Sequence, residues 1–150
     1  MGKNQNISIR NAELSDAEAL AVLSAELGYP TTPAEIKSRF DTLYSNPLHG
    51  IFVAELDFIV GWIQISVIES LESELFAEIR GLVVSEPYRG MGIGTQLAVT
   101  AEAWAIKKGC GRVRVRTNKV RVETLEFYKK HGYVWKKTQE VFDKLIAFGS

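Results

Sequence analysis

Cysteine occurs once in this chain of 150 residues, as Cys110, and histidine twice, as His49 and His131. A lone thiol cannot close an internal disulfide, so a reducing, cytoplasmic setting fits. Two histidines far apart in sequence, with no cysteine cluster beside either, make no metal set. Charge of one sign is lacking too. With 18 basic and 18 acidic residues the formal net charge is zero, which argues against the basic surface that broad nucleic-acid binding needs. No apolar run reaches the length of a membrane span, and the first residues lack the apolar segment of a secretion signal. Nothing resembles a linker between two folding units. Residues 1–150 therefore read as one domain, long enough to bury a core without staples.

The elements follow from periodicity. Ile7-Ser8-Ile9 alternates and predicts a first strand. Ser15 and Glu18 have capping-box spacing and open a helix that runs to about Leu27 and stops at Gly28. Thr32, Pro33 and Glu35 open a second, in which Ile36, Phe40 and Leu43 share a face before Asn46-Pro47 ends it. From Gly50 the period becomes extended: residues 51–56 and 59–68 flank a tight turn at Asp57, and after a polar connection a strand spans 76–84. The last part of that strand is continuously apolar, as a central strand should be. A helix over 94–108 lines up Leu97, Ala101, Trp104 and Ala105, and 112–117 alternates arginine with valine. A short helix over 123–131 presents Leu125, Phe127 and Tyr128, and residues 133–137 and 141–147 predict a closing pair of strands. Helices alternating with a mostly central sheet mean an α/β or mixed α+β sandwich.

The densest signal is Arg89-Gly90-Met91-Gly92-Ile93-Gly94-Thr95, between the central strand and the helix after it. A turn rich in backbone N–H groups at a helix start is a natural cradle for a diphosphate, and Arg89 adds a planar cation. A dinucleotide fold would need G-x-G-x-x-G after an early strand and an acidic residue about twenty positions later. Here the glycines alternate, four strands precede them, and position 110 is cysteine. A P-loop would need a lysine after its last glycine, where this chain has Thr95. The basic residues Lys107, Lys108, Arg112, Arg114 and Arg116 suit either a phosphate ligand or a solvated face.

In this setting the segment resembles the GNAT N-acetyltransferases, whose hallmark is Arg/Gln-x-x-Gly-x-Gly/Ala at a strand–helix junction. Residues 77–84 before it, Thr117-Asn118 after it and the Glu126-Phe127-Tyr128 to Gly132-Tyr133 segment are similar to that family as well. So are Leu27-Gly28-Tyr29-Pro30 and Gly61-Trp62-Ile63, which look closest to small bacterial aminoglycoside N6′-acetyltransferase-like members. The resemblance spans about residues 7–147. It implies a mixed α+β fold whose mostly antiparallel sheet contains one splayed parallel pair. It also implies acetyl-CoA as cosubstrate, CoA as product, no metal, and self-association as a homodimer.

What the resemblance implies for residues is specific. The pantetheine arm would lie along Leu82, Val83 and Val84, with Asn118 helping from the adjoining strand. The pyrophosphate would sit on the amides of Arg89, Gly90, Met91, Gly92, Ile93, Gly94 and Thr95, and Lys130 would approach the adenosine end. Tyr128 would protonate the departing thiolate and also border the cofactor. Glu78, eleven positions before Arg89, is the candidate base for the acceptor amine, or else pairs with Arg80 or Arg116 in the sheet. An ordinary carboxylate near pKa 4 is a weak base towards an ammonium near 10, so burial or a water relay must help. Glu26, Tyr29 and Trp62 are candidates for the acceptor pocket, His49 reads as a loop residue, and Cys110 is placed away from the thioester. The expected reaction is direct transfer to a small-molecule or peptide amine in a ternary complex. Its rivals are a non-catalytic CoA-sensing or interaction domain, and transfer of a longer acyl group.

Overall fold

Five strands lie side by side in sequence order in the computed structural model, which describes residues 6–117 and 122–147. They are β1 (Ser8–Asn11), β2 (His49–Glu55), β3 (Ile59–Ser70), β4 (Ser73–Val84) and β5 (Val113–Val115). The first four are antiparallel neighbours and β5 runs parallel to β4. The helices are α1 (Ala17–Leu27), α2 (Pro33–Tyr44), α3 (Ile93–Lys107) and α4 (Val122–Lys130). A mixed α/β fold with a central sheet flanked by helices is thus what the alternating pattern produces. Residues up to Arg116 form one compact unit, and those from Thr117 a second that is described by itself.

Alternation along each strand assigns the two faces. Ile51, Val53 and Trp62 pack with Ala12, Leu20, Ile36 and Phe40, so this face carries α1 and α2. The opposite face carries α3: a Cβ added to Gly50 would stand 2.9 Å from the Trp104 ring. Only glycine allows so close a helix approach. Val53, Val60, Ile63, Ile65 and Leu97 are fully buried between these layers, each worth about 1.5–3 kcal/mol relative to exposure.

The second helix starts as its residues require. The Glu35 amide donates to Thr32 Oγ1 at 3.1 Å and the Thr32 amide to Glu35 Oε1 at 2.9 Å, with Pro33 at the first position. The first helix departs from the Ser15–Glu18 box. Residues Leu14–Asp16 form a 3-10 turn instead. Asp16 is claimed by Arg10, whose Nη1 and Nη2 donate to its two carboxylate oxygens at 2.9 and 3.0 Å, and by the Glu13 amide at 2.7 Å. Burial works to raise this carboxyl, but those hydrogen bonds outweigh it and hold Asp16 below the usual carboxylate range. The cap thereby moves to a tertiary contact between β1 and the helix start.

The larger correction concerns the C-terminal segment. Residues 133–137 and 141–147 form no strands. Val134, Trp135, Val141, Phe142, Leu145 and Ile146 are all at least 70% exposed. Strand propensity needs a partner edge and a face to bury, and within this chain the segment has neither among the described residues. His49 is also reassigned: it is the first residue of β2, not part of a loop.

Candidate active site

The site begins with an irregularity in β4. Gln64 pairs with Gly81 while Ile65 pairs with Ile79, so Arg80 is an extra, bulged residue. Below the bulge, Ala77, Glu78 and Ile79 pair with Val113, Arg114 and Val115 of β5. Above it, residues 80–84 have β3 on one side and, among the described residues, no strand on the other. That leaves Leu82, Val83 and Val84 as a strand edge with no strand partner among the described residues. Val83 is buried opposite Trp62, while Leu82 and Val84 are partly open.

β4 then passes through a 3-10 turn, Glu86–Tyr88, into the glycine segment. Gly90 and Gly92 have φ of +79° and +84°, and an added Cβ at either would meet no atom within 4 Å. Left-handed backbone here turns successive N–H groups to one side. Gly92 is the N-cap of α3 and, as glycine, brings no side chain over the helix start. Ile93 is buried and anchors the turn, whereas Met91 lies at the surface. Gly94 and Thr95 form the first helical turn.

Arg89 does more than stand ready as a cation. Its Nε donates to the Val84 carbonyl at 2.8 Å, tying the turn to the strand end, and Nη2 lies 3.7 Å from Glu26 Oε1. The same Glu26 oxygen accepts from the Glu86 amide at 3.1 Å. Glu26, expected in the acceptor pocket, is therefore engaged with the glycine turn. Tyr29 is exposed just past α1. The Trp62 ring covers Gly81, 2.7 Å from where a Cβ would stand, and its Nε1 is buried without a hydrogen-bond partner among the described residues.

Glu78 is 7% exposed. Its Oε2 accepts from Arg80 Nη1 at 2.8 Å and its Oε1 lies 3.5 Å from Arg116 Nε. Both oxygens are thus in use, and taking up a proton means giving up an ion pair. Across the sheet Glu78 is in register with Ser66 of β3 and Arg114 of β5, and Ser66 Oγ is 2.7 Å from His49 Nδ1. Cys110 is buried, and burial pushes its thiol up from the ordinary range, which suits a packing role.

The second unit holds Tyr128 on α4, in edge contact with Phe127 at 5.2 Å and Tyr133 at 5.3 Å. Burial pushes its phenol up to about 12, so it keeps its proton throughout the neutral range. Lys130 ends the same helix, exposed. Asn118 lies outside the described residues. The structure therefore brings Glu78, the 82–84 edge, Arg89 to Thr95, Glu26 and Trp62 into one unit. The contacts of Glu26 with the Glu86 amide and with Arg89 had no signal in the sequence, because they join α1 to a turn about sixty residues away.

The open left-handed turn at Gly90 and Gly92 fits a pyrophosphate, and the strand edge fits an extended amide-bearing arm. Among the described residues no group of histidine, cysteine or carboxylate side chains could hold a metal, and no helix is long and apolar enough to cross a membrane.

Residues 15–133 match the Acetyltransferase (GNAT) family. An uncharacterized N-acetyltransferase of Chlorobaculum tepidum is 31% identical over 128 residues, covering 83% of this chain and 74% of that protein. Among solved structures, a transcriptional regulator of Bacillus halodurans is 26% identical with a TM-score of 0.81, covering 94% of this chain and all of the other. An aminoglycoside antibiotic 6′-N-acetyltransferase of Acinetobacter baumannii superposes with a TM-score of 0.82 over 95% of this chain and 100% of its own, at 18% identity. That last likeness is one of fold. The chain belongs to the GNAT acetyltransferase family and is an acetyl-CoA-dependent acetyltransferase.

Proposed function

We propose that this acetyltransferase, a single domain over residues 1–150 working in the cytoplasm, transfers acetyl to a primary amine by direct attack in a ternary complex. The observation that carries the reading is the β4 edge, which leaves β5 at the Arg80 bulge and leads through the Glu86–Tyr88 turn to the left-handed Gly90 and Gly92. Acetyl-CoA, when bound, supplies an acetyl group activated as a thioester. Leu82, Val83 and Val84 hold its arm by backbone groups, together with Asn118, and the turn from Arg89 to Thr95 holds its pyrophosphate. Lys130 serves the adenosine end.

The acceptor approaches on the α1–α2 face, past Tyr29, Trp62 and Glu26. Glu78 takes the proton of the attacking amine, exchanging one arginine contact for it, and Tyr128 donates to the departing sulfur. A phenol raised to about 12 is fully protonated when needed, and the thiolate it serves has an ordinary pKa of about 8.5. Tyr128→Phe is accordingly expected to lower kcat by about 10–100-fold while CoA affinity holds within about threefold. An unchanged kcat would remove Tyr128 from the reaction. Its ionisation would shape the pH profile only near pH 12.

The same proposal includes self-association. The exposed apolar residues between Val134 and Ile146 make a patch that a monomer rarely leaves open, and we assign a second copy to cover it. Sedimentation equilibrium should return a dimer; a monomer at assay concentration would overturn this part.

The central experiment measures free-thiol release from acetyl-CoA against a panel of small amines and peptide termini, with product masses. Saturable release with an acetylated amine product supports the proposal. Tight CoA binding without turnover anywhere would turn it towards a sensing domain, and faster release from longer thioesters towards another acyl group.

A further inference from the structure

Arg112, Arg114 and Arg116 alternate along and around β5 and so lie on one face of the sheet. Residues opposite each other in register share a face. The row Arg114, Glu78, Ser66, His49 therefore places the arginines on the side of Ile51, Val53 and Trp62, the face that carries α1 and α2. Arg80, the bulged residue, reaches the same spot through Glu78. Four guanidinium groups gather there around two buried side chains, Phe76 and Glu78.

The charges do not cancel. Glu78 is shared by Arg80 and Arg116. Arg112 and Arg114 stand over the Phe76 ring, with Cζ at 4.4 and 4.7 Å from its centroid. Neither forms an ion pair or side-chain hydrogen bond among the described residues. Glu74, nearby on β4, is exposed and forms no ion pair among the described residues. Stacking on a buried ring holds the two planar cations in place with their N–H donors unspent. Adjacent guanidinium groups of this kind match a carboxylate or phosphate in charge and in fork geometry.

We infer that this cluster receives an oxyanion carried by the acceptor: the amine that this enzyme acetylates also bears a carboxylate or a phosphate. The inference rests on the reading of the α1–α2 face as the acceptor side. It also disfavours a polycation such as an aminoglycoside, which four arginines would repel.

The test compares kcat/KM for ethanolamine, β-alanine, O-phosphoethanolamine and 1,3-diaminopropane in wild type and in the folded double variant Arg112→Gln/Arg114→Gln. Wild type should prefer an anionic amine over ethanolamine by about 30-fold or more, and the choice between β-alanine and O-phosphoethanolamine identifies the anion. In the double variant that ratio should collapse to about threefold or less. Equal or better use of the neutral or cationic amine, or a ratio the variant keeps, overturns the inference.

A second readout needs no turnover. Inorganic phosphate and malonate are titrated by calorimetry into CoA-saturated protein, whose glycine turn is already filled. Binding by wild type that the double variant loses supports the site; no binding, or equal binding, overturns it. If CoA itself fails to bind, the cofactor reading has failed, and the same titrations into the free wild-type and variant proteins still decide the arginine site.

Discussion

Gly92→Val is expected to reduce CoA affinity by about 100-fold or more, a loss of about 2.7 kcal/mol, in a protein that still folds. Gly92 has φ of +84° and is the N-cap of α3, where it leaves the space over the helix start free of a side chain. A β-branched residue at positive φ costs about 1–3 kcal/mol, so the turn will relax and its N–H groups will cease to converge. The fold should survive because an added Cβ meets no atom within 4 Å; the strain is confined to the backbone of a surface turn. Gly92→Asn separates the two effects. Asparagine tolerates the left-handed region, so its turn keeps its shape and only the space over the amides is taken, with a loss of about 10-fold. Calorimetry with CoA measures both variants, alongside thermal melts that establish folding. Unchanged affinity in folded Gly92→Val would remove the pyrophosphate from this turn.

Glu78→Gln is expected to lower kcat/KM by about 100-fold at pH 7, with the deficit narrowing as pH rises towards the pKa of the acceptor amine. The sign follows from what each state must do. At neutral pH the amine arrives as ammonium and a base is required; near pH 10 it arrives free and the carboxylate is dispensable. A purely structural Glu78 gives a different profile. Glutamine still reaches Arg80 and Arg116 but leaves both guanidinium groups without a counter-charge near a buried position. That would cost stability and a constant fraction of activity at every pH. Rates from pH 6 to 10, with urea unfolding of both proteins, separate the readings. A pH-independent deficit would return Glu78 to the sheet as an ion-pair residue.

Much of the fold was legible because the signals were local. Thr32, Pro33 and Glu35 specify a helix start through bonds within four residues, and the apolar stretch before Arg89 could only be an inner strand. The glycine turn was legible for the same reason: positive φ at two nearby positions is a property of the residues themselves. The misreadings share the opposite cause. Ser15 and Glu18 have the spacing of a cap, yet Arg10 from a neighbouring strand takes Asp16 and moves the cap. The closing strands had the composition for the task, yet residues 133–137 and 141–147 form no strand among the described residues. The contacts of Glu26 with the Glu86 amide and Arg89 have the same long-range cause and no local signal.

By itself the sequence determined the order of helices and strands as far as the fourth helix, the glycine turn from Arg89 to Thr95 and the alternation that puts three arginines on one side of a strand. Each depends on backbone preference or on periods of 2 and 3.6 residues, which are set over a few positions. Tertiary structure alone decided that Arg80 is bulged, that β4 parts from β5 at that point, and that Glu78 meets Arg80 and Arg116. It also decided which face of the sheet those arginines share. Such features arise from strand register and from which side each layer packs, and register is settled by partners far away in the chain.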